Sequence, residues 1–353
     1  MKYSRPSRLG LSVMSAISVA VLAAACSSGS SSSSSSGGAP GASASGGAPG
    51  ASASGGAPGA SSPAGGTAAG TSIVVGSLPV VDTAGLQVAL KKGYFTQAGL
   101  NVTVKTVTQS TTAIPDLLHG SIDVIGGANY VSFLEAQANG TFPVEFLAPA
   151  VNCSTDSYGL VAMPSSGITK PADLAGKTIA VNLTQNIQTL TTNAVLQASG
   201  VNASSVHYVQ IPFPDMVSAL QAGRVSAISA VEPFLSAALA AGGKLVTSTC
   251  TGPTADFPLS AYVTTQTWVR QHAAAARAFQ QALAKGNAYA DAHPDVVRSL
   301  LPSYTKITAQ AAASLPLGTY PDTLTTALLQ RVATLMKSGG LATPSDVTSL
   351  LLR

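Results

Sequence analysis

Five short polar stretches of this sequence each follow an apolar run that is typical of a β-strand. They are Asp82-Thr83-Ala84, Gln109-Ser110-Thr111, Ala128-Asn129-Tyr130, Thr184-Gln185-Asn186 and the single residue Glu232. In α/β proteins, polar groups at the carboxyl ends of strands and at helix N-termini face a crevice. Helix N-termini carry partial positive charge and unpaired N–H groups, so they bind acceptor-rich solutes without a Lys or Arg. All of these residues except Ala128 and Tyr130 are therefore candidate ligand-binding residues.

Each candidate also has a simpler alternative role. Asp, Thr, Ser and Asn are the preferred N-cap residues of helices, so capping alone accounts for their positions. Tyr130 is better explained by packing than by stacking on a ligand. No Lys or Arg stands in these stretches, whereas Asp82 and Glu232 bring negative charge. We therefore expect a neutral, zwitterionic or amine-bearing ligand rather than a doubly charged oxyanion.

Patterns for catalysis, metals and nucleic acids are weak in this chain. Ser303 and Lys306 match the S-x-x-K pattern of penicillin-recognising enzymes, but neither partner motif, S-D-N or K-T-G, occurs. The four histidines are scattered, without H-E-x-x-H or paired-cysteine spacing. Three of the 18 basic residues precede residue 9, which leaves 15 basic against 14 acidic side chains and no basic stripe. We expect no enzymatic activity, no metal, no cofactor and no nucleic-acid partner.

Two similar helix–glycine–strand units must position the polar stretches. Residues 114–129 and 215–234 each predict a helix, a glycine that ends it (Gly120 and Gly223), and a strand, over residues 122–125 and 225–231. Strands and helices alternate from Ile73 onward, which predicts parallel or mixed sheets with covered faces. The repeated unit indicates two α/β lobes that enclose a cleft. From Thr267 onward the pattern is mostly helical, over residues 267–293, 294–301, 322–337 and 344–352.

Residues 1–72 have the composition of an export signal and a tether. A signal peptide is expected over residues 1–25, where three cations precede an apolar run of small residues. Ala23-Ala24-Ala25-Cys26 resembles a lipobox with an acylated cysteine; the alternative is a chance cysteine after an ordinary signal peptide. Residues 26–72, mostly Ser, Gly, Ala and Pro, lack core-forming side chains and predict a disordered tether. We expect the protein on the outer face of the cytoplasmic membrane, lipid-anchored through Cys26.

Three longer stretches resemble one family of binding proteins. ALKKGYFTQAGLNVTV at residues 89–104, SSGITKPADLAGKTIAVN at 165–182 and FPDMVSALQAGRVSAISAVEPF at 213–234 occur in that family's order. They are similar to the ABC-transporter substrate-binding proteins for nitrate, sulfonates, taurine and thiamine precursors. Ser226 departs from the Asp that is usual in the second-lobe motif, whereas Asp123 matches it in the first lobe.

This resemblance implies an α/β, two-lobed periplasmic-binding-protein type II-like fold with a ligand cleft between the lobes. Lobe I is expected over residues 73–157 and 258–353, and lobe II over residues 158–257. It implies a monomer that captures a small polar solute, of sulfonate, nitrate, taurine or thiamine-precursor type, for ABC permease subunits. The alternative is a lipid-anchored sensing receptor or adhesin on the same scaffold. The related eukaryotic enzymes that build the thiamine pyrimidine use a Cys-rich motif that this chain lacks.

Cys153 and Cys250 are the two thiols that remain once Cys26 is acylated. In the implied architecture they stand where the chain leaves the first lobe and where it is about to return. Disulfides persist outside the cytoplasm, and neighbouring crossings bring Cα atoms within the ~4.4–6.8 Å that a bridge requires. We expect a Cys153–Cys250 disulfide; the alternative is two unrelated buried thiols.

Overall fold

The computed structural model describes residues 68–352. The predicted signal peptide, the Cys26 lipidation site and residues 26–67 of the predicted tether lie outside this range. The strands are β1 Thr71–Ser77, β2 Leu100–Thr106, β3 Val124–Asn129, β4 Val144–Asn152, β5 Tyr158–Ala162, β6 Thr178–Val181, β7 His207–Gln210, β8 Ala227–Val231, β9 Lys244–Ser248 and β10 Pro258–Thr265. The strand β1 begins at Thr71, so the last two residues of the expected tether, Thr71 and Ser72, belong to this strand.

The helices cover the faces of these strands. They are α1 Ala84–Lys91, α2 Tyr94–Gln97, α3 Ile114–Leu118, α4 Tyr130–Ala138, α5 Ile187–Ala198, α6 Phe213–Gln221, α7 Phe234–Ala240, α8 Gln266–Gln271, α9 Ala273–Ala292, α10 Pro294–Tyr304, α11 Ala309–Ala312 and α12 Thr326–Ser338. None of the helices within residues 68–352 combines the length and apolar character that crossing a bilayer requires.

The strands form two five-stranded sheets of the same design. The lobe I sheet has the order β2-β1-β3-β10-β4, and the lobe II sheet has the order β7-β6-β8-β5-β9. In each sheet the first three strands pair in parallel, and an antiparallel strand, β10 or β5, joins them to the last strand. The chain crosses to the lobe II sheet between β4 and β5 and returns between β9 and β10. This is the two-lobed α/β fold expected from the sequence.

Both helix–glycine–strand units are present, one in each sheet. Gly120 follows α3 with a φ of 73°, and Gly223 follows α6 with a φ of 66°. This left-handed backbone favours glycine, which has no Cβ to clash. The strands β3 and β8 each begin two residues later than the apolar pattern indicates.

Asp123 accounts for the later start of β3. Its carboxylate accepts hydrogen bonds from the backbone N–H of Val74 (2.8 Å) and from the indole of Trp268 (3.0 Å). The residue therefore joins β1 to α8 and has a structural role. In lobe II the matching residue is Ser226, whose backbone N–H donates to the carbonyl of Thr178 (2.9 Å). The N–H of Asp123 makes the equivalent bond to the carbonyl of Val74 (2.8 Å), so this backbone contact is present in both lobes and lobe I adds the two bonds of the carboxylate.

The C-terminal region differs from the helical pattern in three places. The helix expected over residues 267–293 is divided at His272, whose φ of −127° and ψ of 36° are not helical. The helix expected from residue 322 begins at Thr326, because Thr325 caps it by accepting from the N–H of Leu328 (3.2 Å). The helix expected over residues 344–352 is wrong, since Leu351 pairs in parallel with Phe146 of β4.

The two crossings between the sheets lie side by side and are covalently linked. Cys153 and Cys250 form a disulfide with a Cα–Cα distance of 5.4 Å, in agreement with the expected pairing. The N–H of Cys153 also donates to the carbonyl of Phe257 (2.8 Å), on the returning segment. The crossings therefore form a narrow, cross-linked hinge between the sheets.

Candidate ligand-binding site

A cavity of about 40 Å³ lies between the two sheets. Lobe I supplies Leu78, Val80, Asp82, Ser110, Gly127, Asn129, Leu259 and Ser260; lobe II supplies Tyr158, Asn182, Leu183, Asn186, Ile187, Gln188, Phe213 and Val231. A single water molecule needs roughly 10–15 Å³ on this measure. In this arrangement of the lobes, the cavity therefore accommodates a solute of only a few heavy atoms.

Asp82 is the charged residue of the cavity wall. It lies in the turn after β1, and 6% of it is exposed. Its carboxylate accepts hydrogen bonds from the hydroxyls of Tyr158 and Ser260, each at 2.7 Å. Tyr158 begins β5 and Ser260 lies in β10, so this cluster joins the lobes beside the hinge. Burial raises the pKa of Asp82, and the bonds from Tyr158, Ser260 and its own backbone amide partly oppose that rise.

The N-terminus of α5 forms the lobe II wall. Asn186 caps the helix, because its side-chain oxygen accepts from the N–H groups of Gln188 (3.0 Å) and Thr189 (3.1 Å). Gln188 accepts from the backbone N–H of Asn182 (2.7 Å) and donates to the carbonyl of Ser229. Nearly every polar atom in this group is already hydrogen-bonded. The wall is therefore rigid and preformed rather than adaptable.

Ser110 and Asn129 form the facing polar wall in lobe I. Asn129 caps α4 by accepting from the N–H of Ser132 (2.9 Å), and its amide donates to the hydroxyl oxygen of Ser110 (3.4 Å). The second amide hydrogen of Asn129 and the hydroxyl hydrogen of Ser110 have no partner among the described residues. This wall can therefore donate hydrogen bonds to an acceptor in the cavity.

Direct hydrogen bonds hold the lobes together around the cavity. The Gln109 amide donates to the carbonyl of Asn182 (2.7 Å), and the Gln210 amide donates to the side-chain oxygen of Gln109 (3.4 Å). The hydroxyl of Ser132 donates to the carbonyl of Gln185 (2.7 Å). These contacts join the two lobes, so the structure represents a closed arrangement.

Glu232 is buried next to the cavity but does not line it. Its carboxylate accepts from the N–H (3.1 Å) and the hydroxyl (2.8 Å) of Ser236, near the start of α7. Burial raises its pKa to about 7, and the two bonds from Ser236 oppose the rise. Its backbone carbonyl accepts from the N–H of Val81 (3.4 Å), next to Asp82. Glu232 therefore stabilises the start of α7 and the contact with the Asp82 turn.

The predicted ligand-binding residues fall into three groups. Those that line the cavity are Asp82, Ser110, Asn129 and Asn186. Those that line a second, wider cavity of about 390 Å³, which shares Leu183 with the first, are Thr111, Thr184 and Gln185. Those that line neither are Thr83, Ala84, Gln109 and Glu232. Thr83 is buried, and its hydroxyl donates to the carbonyls of Leu78 and Val80, each at 3.2 Å, which closes the turn.

Several residues of the cavity wall were not identified from the sequence. The polar ones are Tyr158, Asn182, Gln188 and Ser260. Asn182 stands at the end of β6, so the rule that selected Asn186 also applied to it. Gln188 lies within the first turn of α5, where a helix-start pattern offers a weak signal. Tyr158 and Ser260 begin or lie within strands, and no local pattern marks them.

Other chemistry-bearing groups are engaged elsewhere. The Ser303 hydroxyl of the S-x-x-K stretch donates to the carbonyl of Leu300 (2.6 Å) within α10. Within residues 68–352, no group of three or more His, Cys, Asp or Glu side chains is placed to hold a metal ion.

Solved structures share this fold at low sequence identity. The alkanesulfonate-binding protein SsuA from Xanthomonas axonopodis pv. citri, bound to MOPS, is similar with a TM-score of 0.67 and 17% identity, over 80% of this chain and 98% of that one. The periplasmic nitrate-binding protein NrtA from Synechocystis PCC 6803 has a TM-score of 0.66 and 17% identity, over 79% and 84%. The desulfurization enzyme DSZB has a TM-score of 0.58 and 17% identity, over 80% and 96%. Binding proteins and an enzyme thus share the architecture.

Two comparisons of the sequence bear on the family to which this chain belongs. No protein of curated function matches this chain. The model of the NMT1/THI5-like family matches residues 81–296, which is more than half of the sequence. The matched range begins at the Asp82 turn and includes the whole lobe II sheet and β10. This chain is therefore a member of the NMT1/THI5-like family.

Proposed function

We propose that this protein is the extracytoplasmic substrate-binding component of an ABC importer, which captures a small polar solute and delivers it to permease subunits. The observation that carries the proposal is the cavity, to which the two lobes contribute equal numbers of residues. A solute that contacts both lobes stabilises the closed arrangement over the open one. Family membership and the likeness to an alkanesulfonate- and a nitrate-binding protein support this function.

Four of the sequence-selected residues are proposed to contact the solute. They are Asp82, Ser110, Asn129 and Asn186, which line the cavity from both sides. We assign Tyr158 and Ser260 to the same role, since their hydroxyl oxygens surround Asp82. Thr111, Thr184 and Gln185 line the wider neighbouring cavity, which we assign to the entrance.

The proposal includes a location and an assembly state. Cys26 is acylated after removal of residues 1–25, and the segment between Cys26 and β1 tethers the binding domain to the outer face of the cytoplasmic membrane. Lobe I comprises residues 73–157 and 258–353 and lobe II residues 158–257, in one monomer. A Cys26→Ser variant should lose membrane association in fractionation. Fractionation unchanged from the wild type would contradict the anchor.

A thermal-shift screen of the purified chain tests solute capture. The panel contains sulfonates, taurine, nitrate, pyrimidines and amino-acid-like compounds. A solute at 100 times its dissociation constant should add ~2.7 kcal/mol to the free energy of unfolding. The bound compound is then recovered and identified by mass spectrometry. Recovery of unchanged solute supports binding, a converted solute would show an enzyme, and no stabilisation across the panel would contradict the proposed function.

A further inference from the structure

The side-chain oxygens of Asp82, Tyr158 and Ser260 form a cluster that can accept hydrogen bonds but has few hydrogens left to donate. The hydroxyls of Tyr158 and Ser260 both direct their hydrogens to the Asp82 carboxylate, each at 2.7 Å. A hydroxyl has one hydrogen and two lone pairs, so each oxygen keeps acceptor capacity. All three residues line the cavity. A solute placed against them therefore meets acceptors from one carboxylate and two hydroxyls.

Within residues 68–352, no Lys, Arg or His forms an ion pair with this carboxylate. None of the residues that line the cavity is a Lys, Arg or His. A carboxylate with 6% exposure is costly to keep ionised unless it is paired or well hydrogen-bonded. Two neutral hydroxyls reduce that cost but do not supply a charge. A cationic group on the solute would supply it.

The wall formed by Ser110 and Asn129 offers hydrogen-bond donors instead. Ser110 and Asn129 keep a hydroxyl hydrogen and an amide hydrogen without partners among the described residues. The cavity thus has an acceptor-rich part at Asp82 and a donor-bearing part at Ser110 and Asn129. A small molecule with a donor group at one end and an acceptor group at the other matches this arrangement.

We propose that the solute carries a protonated amine, which donates to Asp82, Tyr158 and Ser260, and an acceptor group that Ser110 and Asn129 bind. The proposal rests on the solute-binding function stated above and narrows its substrate class. A simple oxyanion such as nitrate, or a sulfonate without an amine, would place negative charge beside the Asp82 carboxylate. Such anions are excluded from the cavity by like-charge repulsion in a site of low dielectric.

Pairs of small molecules that differ only in the amine test the proposal. The probes are taurine with isethionate, glycine with glycolate, and ethanolamine with ethylene glycol, with nitrate added as the simple oxyanion. Affinities are measured by calorimetry on the wild-type chain. We expect at least one amine member to bind at least 100-fold more tightly than its hydroxyl partner. Tighter binding of nitrate or of a hydroxyl member would overturn the amine proposal while supporting solute capture.

Substitutions at Asp82 and Ser260 test whether the amine of the solute contacts Asp82. Asp82→Asn, which keeps the shape and an accepting oxygen, should weaken binding of the amine member at least 100-fold, and Ser260→Ala should weaken it less. Asp215→Asn is the matched control, because the exposed Asp215 lies in the first turn of α6, close in sequence to the cavity residue Phe213, and lines neither cavity. Its effect should stay below threefold. Equal losses in Asp215→Asn and Asp82→Asn would show general attraction rather than a contact and would overturn the proposal.

Two further results complete the test. Thermal unfolding shows whether Asp82→Asn is folded. If it is not, the affinity of Ser260→Ala for the amine member tests the contact independently. Failure of all seven probes on the wild type would overturn the amine proposal, since the panel includes amines as small as glycine and ethanolamine, which match the size of the cavity. The broader solute screen would still decide whether the protein binds solutes at all, so the two failures are distinguishable.

Discussion

Asp82 and Glu232 are both buried carboxylates that follow a strand, and they differ in which residues donate to them. The donors to Asp82 are Tyr158 and Ser260, 76 and 178 positions away in the chain. The donor to Glu232 is Ser236, four positions away, at the start of α7. Long-range hydroxyls hold Asp82 on the cavity wall, whereas a local capping arrangement keeps Glu232 off it. Residue type and position after a strand therefore select candidate ligand-binding residues. The hydrogen-bond donors to each carboxylate decide whether it lies on the cavity wall.

Asn129 sharpens this contrast, because it stands in lobe I where Glu232 stands in lobe II. Asn129 is the last residue of β3 and Glu232 directly follows β8, and each accepts from the N–H of a serine near the start of the next helix. Only the neutral amide lines the cavity. The equivalent position thus gives a cavity-lining amide in one lobe and, in the other, a buried acid that accepts hydrogen bonds from the next helix.

Removing the disulfide should cause the largest loss in the free energy of unfolding, and it should affect Asp82 but not Glu232. Cys153 and Cys250 are 97 positions apart, and a bridge that closes a loop of this size contributes about 4 kcal/mol. The Cys153→Ala/Cys250→Ala variant should lose about that much free energy of unfolding in urea titrations. Because the bridge lies at the hinge, carboxyl NMR should show an altered pKa for Asp82 and an unaltered one for Glu232. A change at Glu232 instead would contradict the distinction between long-range and local donors.

Glu232→Gln should change how stability depends on pH. The pKa of Glu232 rises from 4.5 to about 7 in the folded protein, so the folded state binds the proton more tightly. The wild type should therefore lose free energy of unfolding as pH rises from about 4.5 to 7, by ~3 kcal/mol at most. The Gln variant should lack this decline and be more stable at pH 8.

Urea unfolding at half-unit steps between pH 4 and pH 8 measures the effect. Asp116→Asn is the control, since Asp116 is half exposed and pairs with Lys105 at 3.6 Å on the surface. An exposed pair of this kind contributes ~0–1 kcal/mol, so its pH profile should follow the wild type. Parallel profiles for Glu232→Gln and wild type would mean that Glu232 is not desolvated as the structure indicates.

Asn186→Ala should weaken solute binding roughly tenfold, a smaller effect than that expected at Asp82. Asn186 lines the cavity and holds the first turn of α5, and the loss of a hydrogen-bonding cap costs ~1 kcal/mol. Calorimetry with the identified solute measures the loss. Asn202→Ala is the matched control, since Asn202 caps an exposed turn outside the cavity by accepting from Ser204 (3.0 Å). Equal affinity losses in both variants would contradict a role for the α5 wall.

Thr83→Ala should have the smallest effect on binding, although Thr83 is next to Asp82. Its hydroxyl bonds to the carbonyls of Leu78 and Val80, so its loss should cost ~1 kcal/mol of stability. The affinity for solute should change less than twofold, because Thr83 does not line the cavity. A tenfold loss of affinity without a loss of stability would place Thr83 in the site.

The sequence by itself determined the features that depend on local pattern. Gly120 and Gly223 mark the two repeated units, because each ends a helix with a backbone that other residues rarely adopt. Alternation of apolar runs with helical periodicity located the strands from β1 to β9 to within a few residues. The search for polar residues after strands selected Asp82, Ser110, Asn129 and Asn186, which line the cavity. It selected them because strand ends and helix starts meet at one edge of a sheet.

Only the tertiary structure decided what depends on distant parts of the chain. The strand β10, with its run of buried residues from Pro258 to Thr265, becomes recognisable through its pairing with β3 and β4. The C-terminal segment pairs at Leu351 with β4 instead of continuing as a helix. Tyr158 and Ser260 reach Asp82 across the hinge because two crossings bring β5 and β10 beside the β1 turn. Hydrogen bonds between residues so far apart in the chain leave no periodic trace in the sequence.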